Sequence, residues 1–133
     1  MTIIDASRDH MRVEVAGDPP NDSDVEFVRI RAHDLREAAR RADDAREQTP
    51  HQDVLLEIGV LLAADARTAC NALADARPAV TDGFTYAGTP EGLTSLLNDI
   101  RILDIADGVV LLPIGATPIA DTIRREVLPR LNR

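Results

Sequence analysis

Lysine is missing from this chain of 133 residues; all 15 of its basic residues are arginine. That absence excludes a phosphate-loop site, which needs a lysine on the nucleotide phosphates, and any Schiff-base chemistry on a lysine amine. Tryptophan is also absent, and aromatic residues make up 2% of the chain against 44% hydrophobic residues. The core must therefore be built from Leu, Ile, Val and Ala. A single cysteine, Cys70, excludes an intrachain disulfide and a cysteine-based metal site. His10, His33 and His51 lie far apart and form no spaced ligand pair, so no metal is expected. No apolar run approaches the roughly 20 residues of a membrane span. The first residues, MTIIDASRDHMR, lack the basic and apolar regions of a secretory signal, so the expected location is the cytoplasm. A net charge of −8 repels phosphate backbones, which argues against nucleic acid as a partner.

What is present is a run of apolar strands alternating with amphipathic helices. Residues 1–23 read as an N-terminal arm in which Met11–Ala16 alternates apolar and polar residues, the mark of an exposed or edge strand. Val25–Ile30 reads as a second strand. Asp34, with Glu37 three residues on, predicts a capped helix running to about Gln48. Its inward face would be Leu35, Ala38, Ala39 and Ala42, and Glu37 and Arg41 fall one turn apart as a surface ion pair. Val54–Leu62 is nearly continuous in apolar residues, as a central parallel strand is. Glu57 interrupts it and requires a partner if buried. Asp65 is placed to cap a helix over Ala66–Ala76, ended by Pro78. Within that helix Cys70 falls in the pattern Ala66, Ala69, Cys70, Leu73 and is expected to be a small buried hydrophobe.

The last third is the best patterned. Asp82–Ala87 supplies a turn and a short strand. Thr89-Pro90 then opens a helix, with threonine as the cap and proline where the first N–H has no partner to lose. Leu93, Leu96, Leu97 and Ile100 mark its inward face. Gly108–Pro113 is a buried strand, and Thr117-Pro118 opens a final helix facing inward through Ile119, Ile123, Val127 and Leu131. Pro129 should distort that helix. Asp99, Asp104 and Asp107 gather near a helix end. Without the alternating acidic pattern of a calcium loop, they are expected to form a solvated turn. The whole predicts an α/β fold, a mainly parallel sheet with covering helices.

Three fragments in order resemble the C-terminal part of the luciferase-like monooxygenases: Gly88-Thr-Pro-Glu91, Ala106-Asp-Gly-Val-Val-Leu-Leu-Pro113 and Glu126-Val-Leu-Pro-Arg-Leu131. The resemblance covers residues 24–133, which it marks as a luciferase-like C-terminal α/β domain. It implies the last βα units of a (β/α)8 barrel, and flavin- or F420-dependent oxidoreductase chemistry with FMN or F420 as cofactor. A full barrel takes about 250 residues, so the chain is expected to be a partial barrel. No position matches a catalytic residue of the family. Chemistry in such folds gathers where strands end. Those places offer Arg31 and His33 after the second strand, Asp65 after the third and Gly115 after the last, and of these Arg31 and His33 are the expected contacts for an anionic cofactor group. Half a barrel would leave open strand edges and a bare sheet face, which predicts a homodimer or a partner half-barrel chain. The alternatives are an antiparallel Met11–Ala16 strand that closes the sheet alone, and a non-catalytic relative serving as a binding or assembly module.

Overall fold

The computed structural model describes residues 12–16, 26–75, 83–114 and 119–131. Five strands and their helices follow in the order β1 (Arg12–Val15), β2 (Phe27–Ile30), α1 (Leu35–Gln48), β3 (Asp53–Leu62), α2 (Ala66–Asp75), β4 (Phe84–Gly88), α3 (Pro90–Ile102) and β5 (Gly108–Pro113). A C-terminal helix closes the sequence in three pieces: an α turn Ile119–Thr122, a π turn Ile123–Val127 and an α turn Leu128–Leu131. Every ladder is parallel. The mainly parallel α/β fold with covering helices is thus what the chain forms.

β3 is the axis of the sheet. β5 runs along one of its edges from Leu55 to Val60. The other edge is shared end to end, with β2 opposite Asp53–Leu56 and β4 opposite Ile58–Leu62. β1 lies outside β5, in parallel. The antiparallel closure by Met11–Ala16 is therefore not formed. β1 enters from the same end as β5, and its first N–H donates to the Asp107 carbonyl at 3.4 Å.

Register sorts the side chains into two faces, because successive strand residues alternate. Leu56, Ile58 and Val60 of β3 and Val109 and Leu111 of β5 share one face. They form one core with the buried helix residues Ala38, Ala69, Leu93, Leu97, Ile100, Ile119, Ile123 and Val127. The α1 contribution is small in area, since its fully buried positions are Ala38 and Ala42, while Leu35 and Ala39 are half-buried against the core. Alanine removes little apolar surface but lets the helix sit close to the strands.

The opposite face was expected to be bare, and it is not. Leu55 is 0% exposed and Val110 3%. Side chains of the sheet and its flanks reach one another across this face. The Arg12 guanidinium sits 4.6 Å from the centre of the Phe27 ring and pairs with Asp53 at 3.0 Å and Glu14 at 3.2 Å. Further along, the Ile114 side chain reaches over Gly59, where an added Cβ would come within 3.0 Å of its Cδ1.

Two other expectations are corrected. Cys70 is exposed. α2 turns Ala69, Ala72 and Leu73 inward, and the residue after Ala69 lies ~100° round the helix from it. The acidic turn is not merely solvated: Arg46 of α1 reaches Asp104 at 3.4 Å and Asp107 at 3.1 Å. Pro129 distorts the last helix through the π turn before it, where the Leu128 N–H donates to the carbonyl of Ile123. Widening that turn moves the Arg125 carbonyl, which a proline four residues later would otherwise strike without offering it a donor. The Thr117-Pro118 helix start, Gly115, Pro78, the 17–23 loop and most of the N-terminal arm lie outside the described residues.

Candidate functional site

Two places at the ends of strands gather polar groups, and sequence reasoning points to the first of them. The first is built on β2. Arg29 and the position that continues its alternation, Arg31, project to the same face of the sheet. Between them rises Glu57 from the middle of β3. Arg29 Nε lies 2.7 Å from one carboxylate oxygen, and Arg31 Nε donates to the other at 2.9 Å. The side chain of Glu57 is 13% exposed, those of Arg29 and Arg31 45% and 63%. The apolar run of β3 therefore accommodates a carboxylate because two guanidinium groups satisfy it, which avoids an uncompensated half-buried charge.

His33 follows in the loop to α1 and is exposed. Its backbone N–H donates to Glu37 Oε1 at 2.7 Å, while the Glu37 N–H donates to Asp34 Oδ1 at 2.8 Å. The expected capping pair is present, with the glutamate reaching one residue further back than the cap itself. The His33 N–H bond, helped by Arg41 and opposed by slight desolvation, holds the Glu37 carboxyl below the usual carboxylate range. Glu37 also pairs with Arg41 at 3.3 Å.

The second place is a groove of about 590 Å³ at the far end of β3. Its wall combines Leu62, Ala63 and Ala64 with Thr89, Pro90 and Glu91 at the start of α3, and with Thr122 and Glu126 of the C-terminal helix. Glu57 and Leu62 are five residues apart, ~16 Å along the strand, and by alternation they point to opposite faces. The groove and the arginine pair are thus separate features. No arginine lines the groove, and two carboxylates do.

Helix N-termini attract anions through free N–H groups, but the α3 terminus has few left. Pro90 has none, and the Gly92 N–H donates to Thr89 Oγ1 at 3.1 Å. The Leu93 N–H is taken by the Thr89 carbonyl at 3.1 Å. That carbonyl also accepts the Tyr86 hydroxyl at 3.0 Å. Both glycines of Gly88-Thr-Pro-Glu-Gly92 make room for this phenol: an added Cβ would lie 2.4 Å from its oxygen at Gly88 and 2.1 Å at Gly92. The motif builds a strand-to-helix turn locked by Tyr86.

The Ala106-Asp-Gly motif is equally structural. Asp107 Oδ2 accepts the Val54 N–H at 2.7 Å, its own N–H donates to the Val54 carbonyl at 2.9 Å, and Oδ1 accepts from Arg46. Gly108 allows β1 to pack against β5, since a Cβ there would sit 2.0 Å from the Arg12 carbonyl oxygen. Asp65 also serves the fold: Oδ1 accepts the Thr68 N–H at 2.7 Å, capping α2 and lowering the Asp65 carboxyl below its usual range. Among the described residues, no three His, Cys, Asp or Glu side chains converge as a metal would require.

Sequence reasoning singled out Arg31, His33 and Glu57 but passed over Arg29. The signal for Arg29 was available, because residues two apart on a strand share a face. Glu126 and Thr122 carried no such signal. They reach the groove only because the last helix folds back over the end of β3 and the start of α3.

A parallel sheet whose buried helices form one layer, with its loops open at the strand ends, is the architecture of the βα-barrel class. Among solved structures, the chain is similar to EDTA monooxygenase (EmoA) from Chelativorans sp. BNC1, with a TM-score of 0.66 and 13% identity over 80% of this chain. It spans 39% of that protein. At that identity the likeness shows the fold alone, a mainly parallel α/β sheet with helices that matches part of that protein. No protein-family profile matches the chain, and no curated protein sequence matches it. No described helix is long and apolar enough to cross a membrane.

Proposed function

We propose that the chain is the C-terminal half-barrel of a luciferase-like oxidoreductase and works with a second chain, either another copy of itself or a partner half-barrel. The observation that carries this reading is the match of 80% of the chain to 39% of a monooxygenase fold. Among the described residues, no strand pairs with the outer edges of β2 and β4, and unpaired edges favour pairing with another chain. In this reading Arg31, with His33 beside it, contacts an anionic group of the ligand, and FMN or F420 is the cofactor class to test. Both cofactors carry a phosphate. The groove at the α3 terminus does not fit that group, having two carboxylates and few spare N–H donors. Arg29 in β2 and Arg31 just after it fit it, since a guanidinium forks onto phosphate oxygens.

Such a cofactor would supply the redox chemistry. The residues of this chain would bind its anionic part and shape the strand-end surface. A second reading is a non-catalytic relative that binds or assembles. The observation favouring it is that Leu55 and Val110 are already buried without a partner chain, which leaves less apolar surface for association to cover. Sedimentation separates the two: the half-barrel reading expects a stable dimer or hetero-complex, and a monomer at micromolar concentration with no thermal shift from FMN or F420 refutes it. A ligand that binds only the native state raises the melting temperature by mass action.

A further inference from the structure

We propose that Arg29 and Arg31 together form a phosphate clamp held open by Glu57, resting on the reading of this chain as half of a ligand-binding barrel. Four observations lead to it. The two arginines share one carboxylate, so the cluster keeps one net positive charge in a protein whose overall charge is −8. Each engages Glu57 through Nε, at 2.7 and 2.9 Å on opposite oxygens. Among the described residues, no acceptor meets their terminal nitrogens. A guanidinium fixed at Nε presents its other N–H groups in a planar fork, the geometry suited to phosphate oxygens. Finally, both side chains are substantially exposed, at 45% and 63%, so an anion can reach them.

Glu57 acts here as a positioning residue. Without it two like charges on one face of β2 would repel and splay apart. With it, the two forks are set side by side on a residue anchored in the central strand, whose neighbours Leu56 and Ile58 are fully buried. The same carboxylate lowers the net charge of the cluster, so a role in electrostatics alone and a role in positioning predict opposite effects of removing its charge.

The ligand chemistry is a phosphate group, either on a bound cofactor or free. FMN and riboflavin differ by that group alone, so flavin fluorescence titration of the purified protein reads it directly. The clamp predicts FMN affinity about tenfold above riboflavin at low salt, as charge-assisted bonds to two arginines imply. The preference should fade as salt is raised. Arg31→Gln and Arg29→Gln should each bring the ratio close to one. Glu57→Gln should also reduce it, even though the variant adds positive charge. A higher FMN preference in Glu57→Gln overturns the positioning role.

Circular dichroism and melting curves show which variants are folded, and the two arginine variants test the clamp even if Glu57→Gln is unstable. A thermal shift with inorganic phosphate, lost in Arg31→Gln, without FMN preference assigns the site to a free phosphate ligand. Equal binding of the two flavins, or binding of neither, together with no response to phosphate, overturns the proposal. Oligomeric state is measured separately, so failure of the clamp and failure of the half-barrel reading are distinguishable.

Discussion

Asp107 is the residue whose loss should be felt most for its size. Its carboxylate joins three elements: it accepts the Val54 N–H at 2.7 Å at the start of β3, it accepts Arg46 at 3.1 Å from the end of α1, and it sits immediately before β5. Val54 is 0% exposed, so its N–H has no easy replacement for this acceptor. Asp107→Ala removes a charge-assisted bond and leaves a buried donor unsatisfied, together about 2–3 kcal/mol. The partly exposed pair with Arg46 adds roughly 0.5–1 kcal/mol. The expected total is about 3 kcal/mol, or ~10 °C in melting temperature for a domain of this length. Asp107→Asn can keep an acceptor on Val54 and should cost about 1–2 kcal/mol, and Arg46→Ala about 0.5–1 kcal/mol. Urea unfolding of the three variants, with the midpoint and slope fitted separately, measures these differences. An Asp107→Ala cost no greater than that of Arg46→Ala refutes this role of the carboxylate. That result would mean the carboxylate acts only through the surface ion pair, and that the Val54 N–H is readily satisfied without it.

Two further outcomes test the local arguments. Gly92→Ala should destabilise the native chain by about 1–2 kcal/mol through the contact with the Tyr86 hydroxyl. In a Tyr86→Phe background the same change should be neutral or stabilising, since alanine is the better helix former by up to about 1 kcal/mol; equal effects in both backgrounds would sink the tyrosine-lock account. Acidification should weaken the helix caps. Glu37 and Asp65 both have lowered carboxyl values in the folded state. Their contribution is therefore complete above the unfolded carboxylate range near about pH 4, and is lost as pH falls through the folded values. Asp65→Asn should flatten the fall of stability between about pH 5 and 3, and an unchanged slope would contradict the assignment.

The chain itself settled the kinds of element and their approximate limits. The apolar run of β3, the Thr89-Pro90 helix start and the Asp34–Glu37 cap each depend on neighbours within a few residues, so local pattern is enough to read them. It also pointed to Glu57 as a charge needing a partner. Tertiary structure decided which charges answer one another. Arg29 and Arg31 meet Glu57 across 26 or more positions, and Arg46 meets Asp107 across 61. The first pairing follows from the register of β2 on β3 and the second from where the end of α1 packs on the sheet, and no local pattern encodes either. The order of strands was likewise hidden. β5 pairs with β3 while β4 shares the opposite edge with β2, because a crossover helix can set its strand beside any open edge and only the packing of the whole layer selects one. For the same reason Cys70 looked inward by periodicity and is exposed. A helix's period states which residues share a face; the depth of the contact beneath it states how wide that face is.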